Sequence, residues 1–440
     1  QKVIVTLLLL VVCRIGAAVP VPGINAEAAA MMFRQATGGS QNLFQMMDMF
    51  SGGAFAQMTV TALGVMPYIS ASIILQLLVA LVPSIQREMK ENPEMGKRKI
   101  GKWTRLGTMA LALFQSALFA KYLVTHLHSA AHGLIISEFM DVQFMGLPWL
   151  FYLTVMLTMT TGTLFLMWVG ERISEKGVGN GVSLIITLGI LSSLPSTIGS
   201  VIKQLNLESQ EAGHLSFSSL VVLILVFVLV IIGTILVIQG QRKIPLQYAR
   251  RPVVGASQGN SYLPLKINYA GVIPVIFAAS ILMFPATVGQ FLGSGSWLGR
   301  VSSMLVPGSW AYTVCYIGLI LFFTFFWTAT QFHPEQIASD MKKNGAFVPG
   351  IRQGKPTEDF LHSTMGRVTL LGGIFLALIA IFPMIVSKLM NVDHRISHFF
   401  GGTSLLILVG VILDTMKQIE SHLLMQRYEG FMKKGRLTGR

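Results

Sequence analysis

Ten apolar runs recur along the chain, at about residues 3–19, 60–82, 104–125, 147–169, 181–202, 217–238, 268–291, 309–331, 366–387 and 399–416. A hydrocarbon core of about 30 Å takes roughly 20 helical residues, and inside it the backbone must satisfy its own hydrogen bonds. Runs repeated in this way restrict the chain to an all-α polytopic membrane protein of ten transmembrane helices. Composition agrees, since 52% of the 440 residues are hydrophobic and only 12% are charged. A water-soluble protein of that balance would expose more apolar surface than it could keep dispersed. The run after Lys2, with Gly16-Ala17-Ala18 as a small-residue site, has features of a secretory leader. Arg14 between run and site, and the nine further runs, favour a retained spanning helix. The chain starts at Gln1, so a short preceding piece is expected.

Charge supplies the orientation. Of the 33 Lys and Arg residues, 26 fall in alternate connections and at the two ends. They include the 84–105 segment, Arg172 and Lys176, the 240–266 loop, the 333–364 loop, and the C-terminal tail. By the positive-inside rule both termini are cytoplasmic, and the net charge of +14 is mostly a topology signal. A nucleic-acid role survives only if a loop touches ribosomal RNA. The 240–266 loop carries Arg242, Lys243, Arg250 and Arg251, and the 333–364 loop carries Lys342, Lys343 and Arg352. Both are longer than topology requires, and Phe347-Val348 before Pro349 reads as an anchored segment. Loops of this length on a rigid scaffold usually bind something; the alternative is that these cations hold orientation or contact anionic lipids.

One span is broken. Gly64-Val-Met-Pro-Tyr-Ile-Ser-Ala-Ser-Ile-Ile-Leu-Gln-Leu-Leu78 is apolar, yet it contains Gly64, Pro67, Ser70, Ser72 and Gln76. Proline fits the first turn of a helix, and a helix from Pro67 to about Leu81 covers roughly 22 Å, short of a bilayer core. The helix is therefore expected to start inside the membrane. The preceding Phe44–Met58 stretch is rich in Met and Phe but interrupted by Gly52-Gly53. It is too apolar for a solvated loop and suits a short piece folded back into the bundle. Broken backbone at membrane depth lines a cavity or is buried in protein, so the element points to a pore or a binding site.

Enzyme chemistry is not legible. No HExxH or GxSxG is present. Gly350-Ile-Arg-Gln-Gly354-Lys-Pro356 has three residues between its glycines where a phosphate loop needs four, and Pro356 stands where Ser or Thr belongs. The histidines lie mostly in loops, and Cys13 and Cys315 read as two small core residues without a CxxC pattern. No catalytic residue, metal site or cofactor is therefore expected. Arg14, Lys121 and Asp414 are the few ionisable residues in the spans. Ion-coupled carriers usually need buried carboxylates or unwound polar sites near the midplane. Passive passage gated by shape and dewetting fits better. A secondary transporter and an intramembrane enzyme are the weaker alternatives.

Several spans open on glycine and continue with aliphatics: Gly64-Val65 to Ile69, Gly179-Asn-Gly-Val182 to Ile186, Ala270-Gly-Val-Ile-Pro-Val-Ile276, and Phe400-Gly-Gly-Thr-Ser-Leu-Leu-Ile407. Each alone is an ordinary helix start. Together with Arg14-Ile-Gly16, Pro20-Val-Pro-Gly-Ile24, Met49-Phe-Ser-Gly-Gly-Ala54, Met66-Pro-Tyr-Ile-Ser-Ala-Ser-Ile73, Leu263-Pro-Leu-Lys-Ile-Asn268 and Gly345-Ala-Phe-Val-Pro-Gly-Ile-Arg352, they make a chain that resembles the SecY family, the channel subunits of the bacterial protein translocase. The resemblance covers essentially the whole chain; Gln353 departs from it, where the family commonly has proline.

The resemblance implies two inverted five-helix halves, 1–205 and 206–440, around a central pore in the bacterial cytoplasmic membrane. It implies a pore ring of Val65, Ile69, Val182, Ile186, Ile276 and Ile407. A plug over about 43–60 would hold Phe44, Met46, Met47, Met49, Phe50, Gly52, Gly53 and Phe55. A lateral gate between the second and seventh helices would be edged by Ser70, Gln76 and Phe284. Arg242, Lys243, Arg250, Arg251, Lys342, Lys343 and Arg352 would dock the SecA ATPase or the ribosome. SecE and SecG are the expected membrane partners, and signal-sequence-bearing preproteins the cargo.

Overall fold

A computed structural model of the protein describes residues 2–37, 43–127, 134–136, 148–204, 217–248, 262–292, 297–306, 308–390 and 403–435. Helices dominate: α1 (Lys2–Gly16), α2 (Ala26–Thr37), α3 (Leu43–Ser51), α4 (Met66–Leu81), α5 (Pro83–Glu91), α6 (Pro93–Tyr122), α7 (Trp149–Lys176), α8 (Gly181–Gln204), α9 (Phe217–Gln239), α10 (Ile273–Leu292), α11 (Trp297–Met304), α12 (Trp310–Gln331), α13 (Pro334–Lys343), α14 (Lys355–Met390) and α15 (Thr403–Gly435). Helices α1, α4, α6, α7, α8, α9, α10, α12, α14 and α15 fall on the ten apolar runs, the last of which begins outside the described residues. Among the described residues, six helices are long and apolar enough to cross a membrane, and Met66–Leu81 and Ile273–Gly289 are shorter apolar helices.

Local chemistry sets the helix boundaries. Pro67 lies in the first turn of α4, which starts one residue earlier than its proline suggests. At about 1.5 Å per residue α4 is about 24 Å long, short of the hydrocarbon core, as expected. It ends at Val82, whose extended backbone is the conformation favoured before proline, and Pro83 then opens α5. Pro93 and Pro334 open α6 and α13 in the same way. Ser309 caps α12, its hydroxyl accepting from the Tyr312 N–H. Pro195 and Pro285 sit inside α8 and α10, a placement that membrane helices tolerate.

The chain is not all-α. Two small antiparallel sheets interrupt it: β1 (Gln241–Pro245) pairs with β3 (Tyr262–Lys266), and β2 (Gln247–Tyr248) pairs with β4 (Ala346–Phe347). The second pairing joins the two long basic loops into one unit. That unit has its own core of Ile244, Leu265, Phe332, Met341, Ala346, Val348, Leu361 and Met365, so Val348 is anchored as expected. Short strands carry little local signal, and the Gln247–Phe347 partnership spans about a hundred residues of sequence, which is why the loop composition concealed it. The cysteines also divide: Cys13 is buried, but Cys315 is on an exposed face of α12 and is not a core residue.

The main core runs through both parts of the chain. Helices α4, α6, α7 and α8 pack in succession with α1 lying on α7 and α8, and α9, α10, α12, α14 and α15 pack among themselves. The two groups meet where α10 crosses α4 and α6, and where α15 lies on α8. Between these contacts sits the short helix α3, packed on α8 and α10.

Candidate functional site

Val65 and Ile69 stand one helical turn apart at the start of α4, the Ile69 N–H donating to the Val65 carbonyl at 3.0 Å. Residues four apart share a helix face, and the same spacing aligns Val182 with Ile186 on α8. Ile276 comes from the first turn of α10 and Ile407 from the first turns of α15. Val65, Ile69, Ile186, Ile276 and Ile407 are all buried in one hydrophobic cluster, with Val182 partly buried against it. That cluster is the main core of the chain, so the six positions share it with residues from most of the helices. Met46, Met47, Phe50 and Phe55 belong to that same cluster. Met47, Phe50, Val65 and Ile186 line a common cavity of about 10 Å³, at the lower limit for a single water.

The Met-rich segment is a compact hairpin. α3 ends at Ser51, and Gly52 and Gly53 turn the chain at φ +70° and +88°. Asp48 accepts from the Ala56 N–H at 2.7 Å, and its carbonyl accepts from the Gly53 N–H at 2.9 Å. The return strand is paired to the segment after α1: the Val21 N–H donates to the Met58 carbonyl at 3.1 Å, and Val60 N–H to Val19 at 2.9 Å. The 58–60 end is thereby tied to the segment after α1. Met49 meets α15, its sulfur accepting from the Ser404 hydroxyl at 3.3 Å. Phe55 packs on Phe119 of α6 at a ring distance of 5.4 Å, and Phe119 on Phe291 of α10 at 5.6 Å. The Phe44 side chain lies outside the described residues.

Arg14 is a contact that the residue pattern flagged but did not place. Its guanidinium donates to the Gly52 carbonyl at 2.6 Å, and the Ser192 hydroxyl, whose one proton is shared with the Gly189 carbonyl at 3.0 Å, lies 3.1 Å from the same oxygen. The visible signal was a lone cation in an apolar run.

Of the gate residues, Ser70 is buried on α4, while Phe284 is partly buried on α10. Gln76 bonds within its own helix, donating to Ser72 at 3.0 Å. Contacts that do cross between the elements come from other residues. The Ser280 hydroxyl of α10 lies 3.9 Å from the Met66 sulfur of α4, and Phe291 of α10 meets both Phe119 and Tyr122 of α6. In the basic loops, Arg242, Lys243, Lys342, Lys343 and Arg352 are all exposed. Lys243 sits over the Tyr262 ring at 4.7 Å, and Lys343 is 3.6 Å from Asp340. Gln353 donates to the Ala346 carbonyl at 3.4 Å, bracing the loop where proline is common. Arg250 and Arg251 lie outside the described residues. Among the described residues no group of three His, Cys, Asp or Glu side chains is placed to hold a metal ion.

The SecY family model matches residues 59–416. The protein translocase subunit SecY of Chlamydia trachomatis is 60% identical over 444 residues, covering 100% of this chain and 97% of that protein. Among solved structures, one described as a protein-conducting channel superposes with a TM-score of 0.63 at 18% identity, over 96% of this chain and 92% of its own. Sec61 in the canine ribosome–channel complex gives 0.58 at 18% identity, with the same coverage. At that identity the two structures establish a shared fold.

Proposed function

This chain belongs to the SecY family, and on that premise we propose that it forms the protein-conducting channel of a bacterial translocase, passing unfolded polypeptides across the membrane. Ten helices span the cytoplasmic membrane in two inverted halves, 1–205 and 206–440, with both termini cytoplasmic. Val65, Ile69, Val182, Ile186, Ile276 and Ile407 form the constriction. An aliphatic ring offers ions and water no hydrogen bonds, so it dewets when empty yet yields around any extended chain. The 43–60 segment closes it as a plug. Transmembrane segments leave sideways between α4 and α10, past Ser70, Gln76 and Phe284, because each buried Leu or Ile gains about 0.3–0.6 kcal/mol in lipid.

The observation that carries this reading is that Met47 and Phe50 line one small cavity with Val65 and Ile186. A carrier site would need polar groups there. Driving force comes from a partner on the basic loops, either the SecA ATPase or the ribosome, through Arg242, Lys243, Arg250, Arg251, Lys342, Lys343 and Arg352. SecE and SecG complete the membrane complex, and anionic lipids contact its basic edge. The test is co-reconstitution with SecE and SecG in liposomes, adding SecA, ATP and a preprotein. Protease-protected preprotein is expected; a fully digested preprotein with an assembled complex would refute the function.

A further inference from the structure

A cation inside an apolar run has a cost that a protein accepts for a reason, and Arg14 has no part in the ring, the gate or the basic loops. Its guanidinium carries N–H donors and no acceptor. It is directed at one backbone oxygen, the Gly52 carbonyl, 38 residues along the chain. That oxygen lies just past the C-terminus of α3, where helix carbonyls lack partners and the dipole favours a positive charge. The Ser192 hydroxyl of α8 lies 3.1 Å from the same oxygen and 3.0 Å from the Gly189 carbonyl and shares its one proton between them, so α1 and α8 both reach one atom of the segment.

Shape reinforces the contact. A side chain at Gly52 would come within 2.8 Å of the Ser192 hydroxyl and 2.9 Å of the Gly189 Cα, and its φ of +70° is itself unfavourable for one. A side chain at Gly189 would meet the Phe50 carbonyl at 2.7 Å. The α3 turn therefore sits flush on α8, with Arg14 bonded from the side. Arg14, Ser51, Gly64 and Val65 also line a cavity of about 30 Å³, large enough for water.

We propose that Arg14 and Ser192 form a latch on the Gly52 carbonyl that positions the plug in the closed channel. Arg14 is a positioning residue in this scheme: it fixes where the plug rests and does not touch the passing chain. The latch is reversible because an opened pore admits water, which replaces the carbonyl as acceptor. The inference rests on reading 43–60 as a plug.

The test measures ion conductance of the complex with SecE and SecG in planar bilayers, for the full chain and for a chain lacking residues 44–55. Arg14→Gln in the full chain is expected to raise resting conductance at least fivefold, and Arg14→Lys to recover at least half of the closure. In the shortened chain, already leaky, Arg14→Gln is expected to change conductance less than twofold. Parent-level conductance for Arg14→Gln, with the deletion leaking, would overturn the latch and leave the plug standing. An equal rise in both backgrounds would also overturn it, because the arginine would then act elsewhere. A deletion that does not leak would remove the plug reading and the latch together. If Arg14→Gln does not assemble, Ser192→Ala keeps the cation and carries the test: about a twofold rise is expected, and parent-level conductance would overturn the proposal.

Discussion

Replacing Gly189 by alanine tests whether the α3 turn rests on α8 closely enough to seal the pore. The added methyl would lie 2.7 Å from the Phe50 carbonyl oxygen and 3.3 Å from the Gly52 nitrogen. Both are backbone atoms and cannot rotate away, so α3 must shift by several tenths of an ångström. Overpacking of this kind costs about 1–3 kcal/mol. α8 is held along its length by α7 and α15, whereas the α3 segment is short, so the strain is relieved by displacing the segment. If the whole strain weighs against the closed state, the open population rises about 5- to 150-fold, at 1.4 kcal/mol per tenfold. Alanine is also the better helix former, by about 0.8–1 kcal/mol, so helix loss would not explain a leak. The assay is resting conductance in planar bilayers, with Gly199→Ala as control, since a side chain at Gly199 of the same helix meets nothing within 4 Å. Conductance within twofold of the parent for Gly189→Ala, with normal assembly, would refute the close seating of the segment.

Replacing Ile69, Ile186 or Ile407 by asparagine puts an amide into the buried cluster and should raise ion leak, most in the triple variant; unchanged conductance would argue against the ring. Met66→Cys combined with Ser280→Cys replaces side chains whose tips lie 3.9 Å apart on α4 and α10. A short crosslink between them should block export of a preprotein, and free export with the crosslink formed would count against a gate there. Arg352→Glu reverses an exposed charge and should lower SecA-driven transport severalfold with the complex intact, so a parental rate would remove Arg352 from the docking surface.

What the residues disclosed and what they concealed divide along physical lines. Helix positions were legible because apolar run length is a local property, and Pro67 announced the late start of α4 to within one residue. That Val65, Ile69, Ile186, Ile276 and Ile407 should meet is an expectation of the family resemblance, since each segment alone reads as a helix start; the structure places all five in the main buried cluster. The β2–β4 pairing stayed hidden because its two-residue strands lie about a hundred residues apart. Arg14 was visible as an anomaly, but its acceptor is a backbone carbonyl, which no residue type encodes. Gly52 and Gly53 were legible as a break, while the reason for Gly52 in particular, the closeness of Gly189 and Ser192, depends on a helix far along the chain. Ser280 was missed at the α4–α10 contact because a serine in a membrane span normally bonds its own helix, as Ser280 also does through the Ile276 carbonyl.

On the proposed reading of the 43–60 segment as a plug, the forces holding it differ in size and in kind. Burying Met46, Met47, Phe50 and Phe55 is worth roughly 1.5–3 kcal/mol each, on the order of 6–12 kcal/mol together as an upper figure. A hydrogen bond to a charged group contributes about 1.5–3 kcal/mol. Apolar burial therefore supplies most of the affinity, but it is non-directional, and methionine side chains repack easily. Such contacts alone would let the segment settle in several places beneath the ring. They also suit displacement, because an incoming chain brings apolar side chains of its own to the same aliphatics. The Arg14 bond adds less energy but is directional, since it needs the Gly52 carbonyl within hydrogen-bonding reach. A seal that must yield to many sequences and still return to one position would be well served by this division, with the non-directional apolar contacts setting how easily it opens and the polar contact setting where it closes.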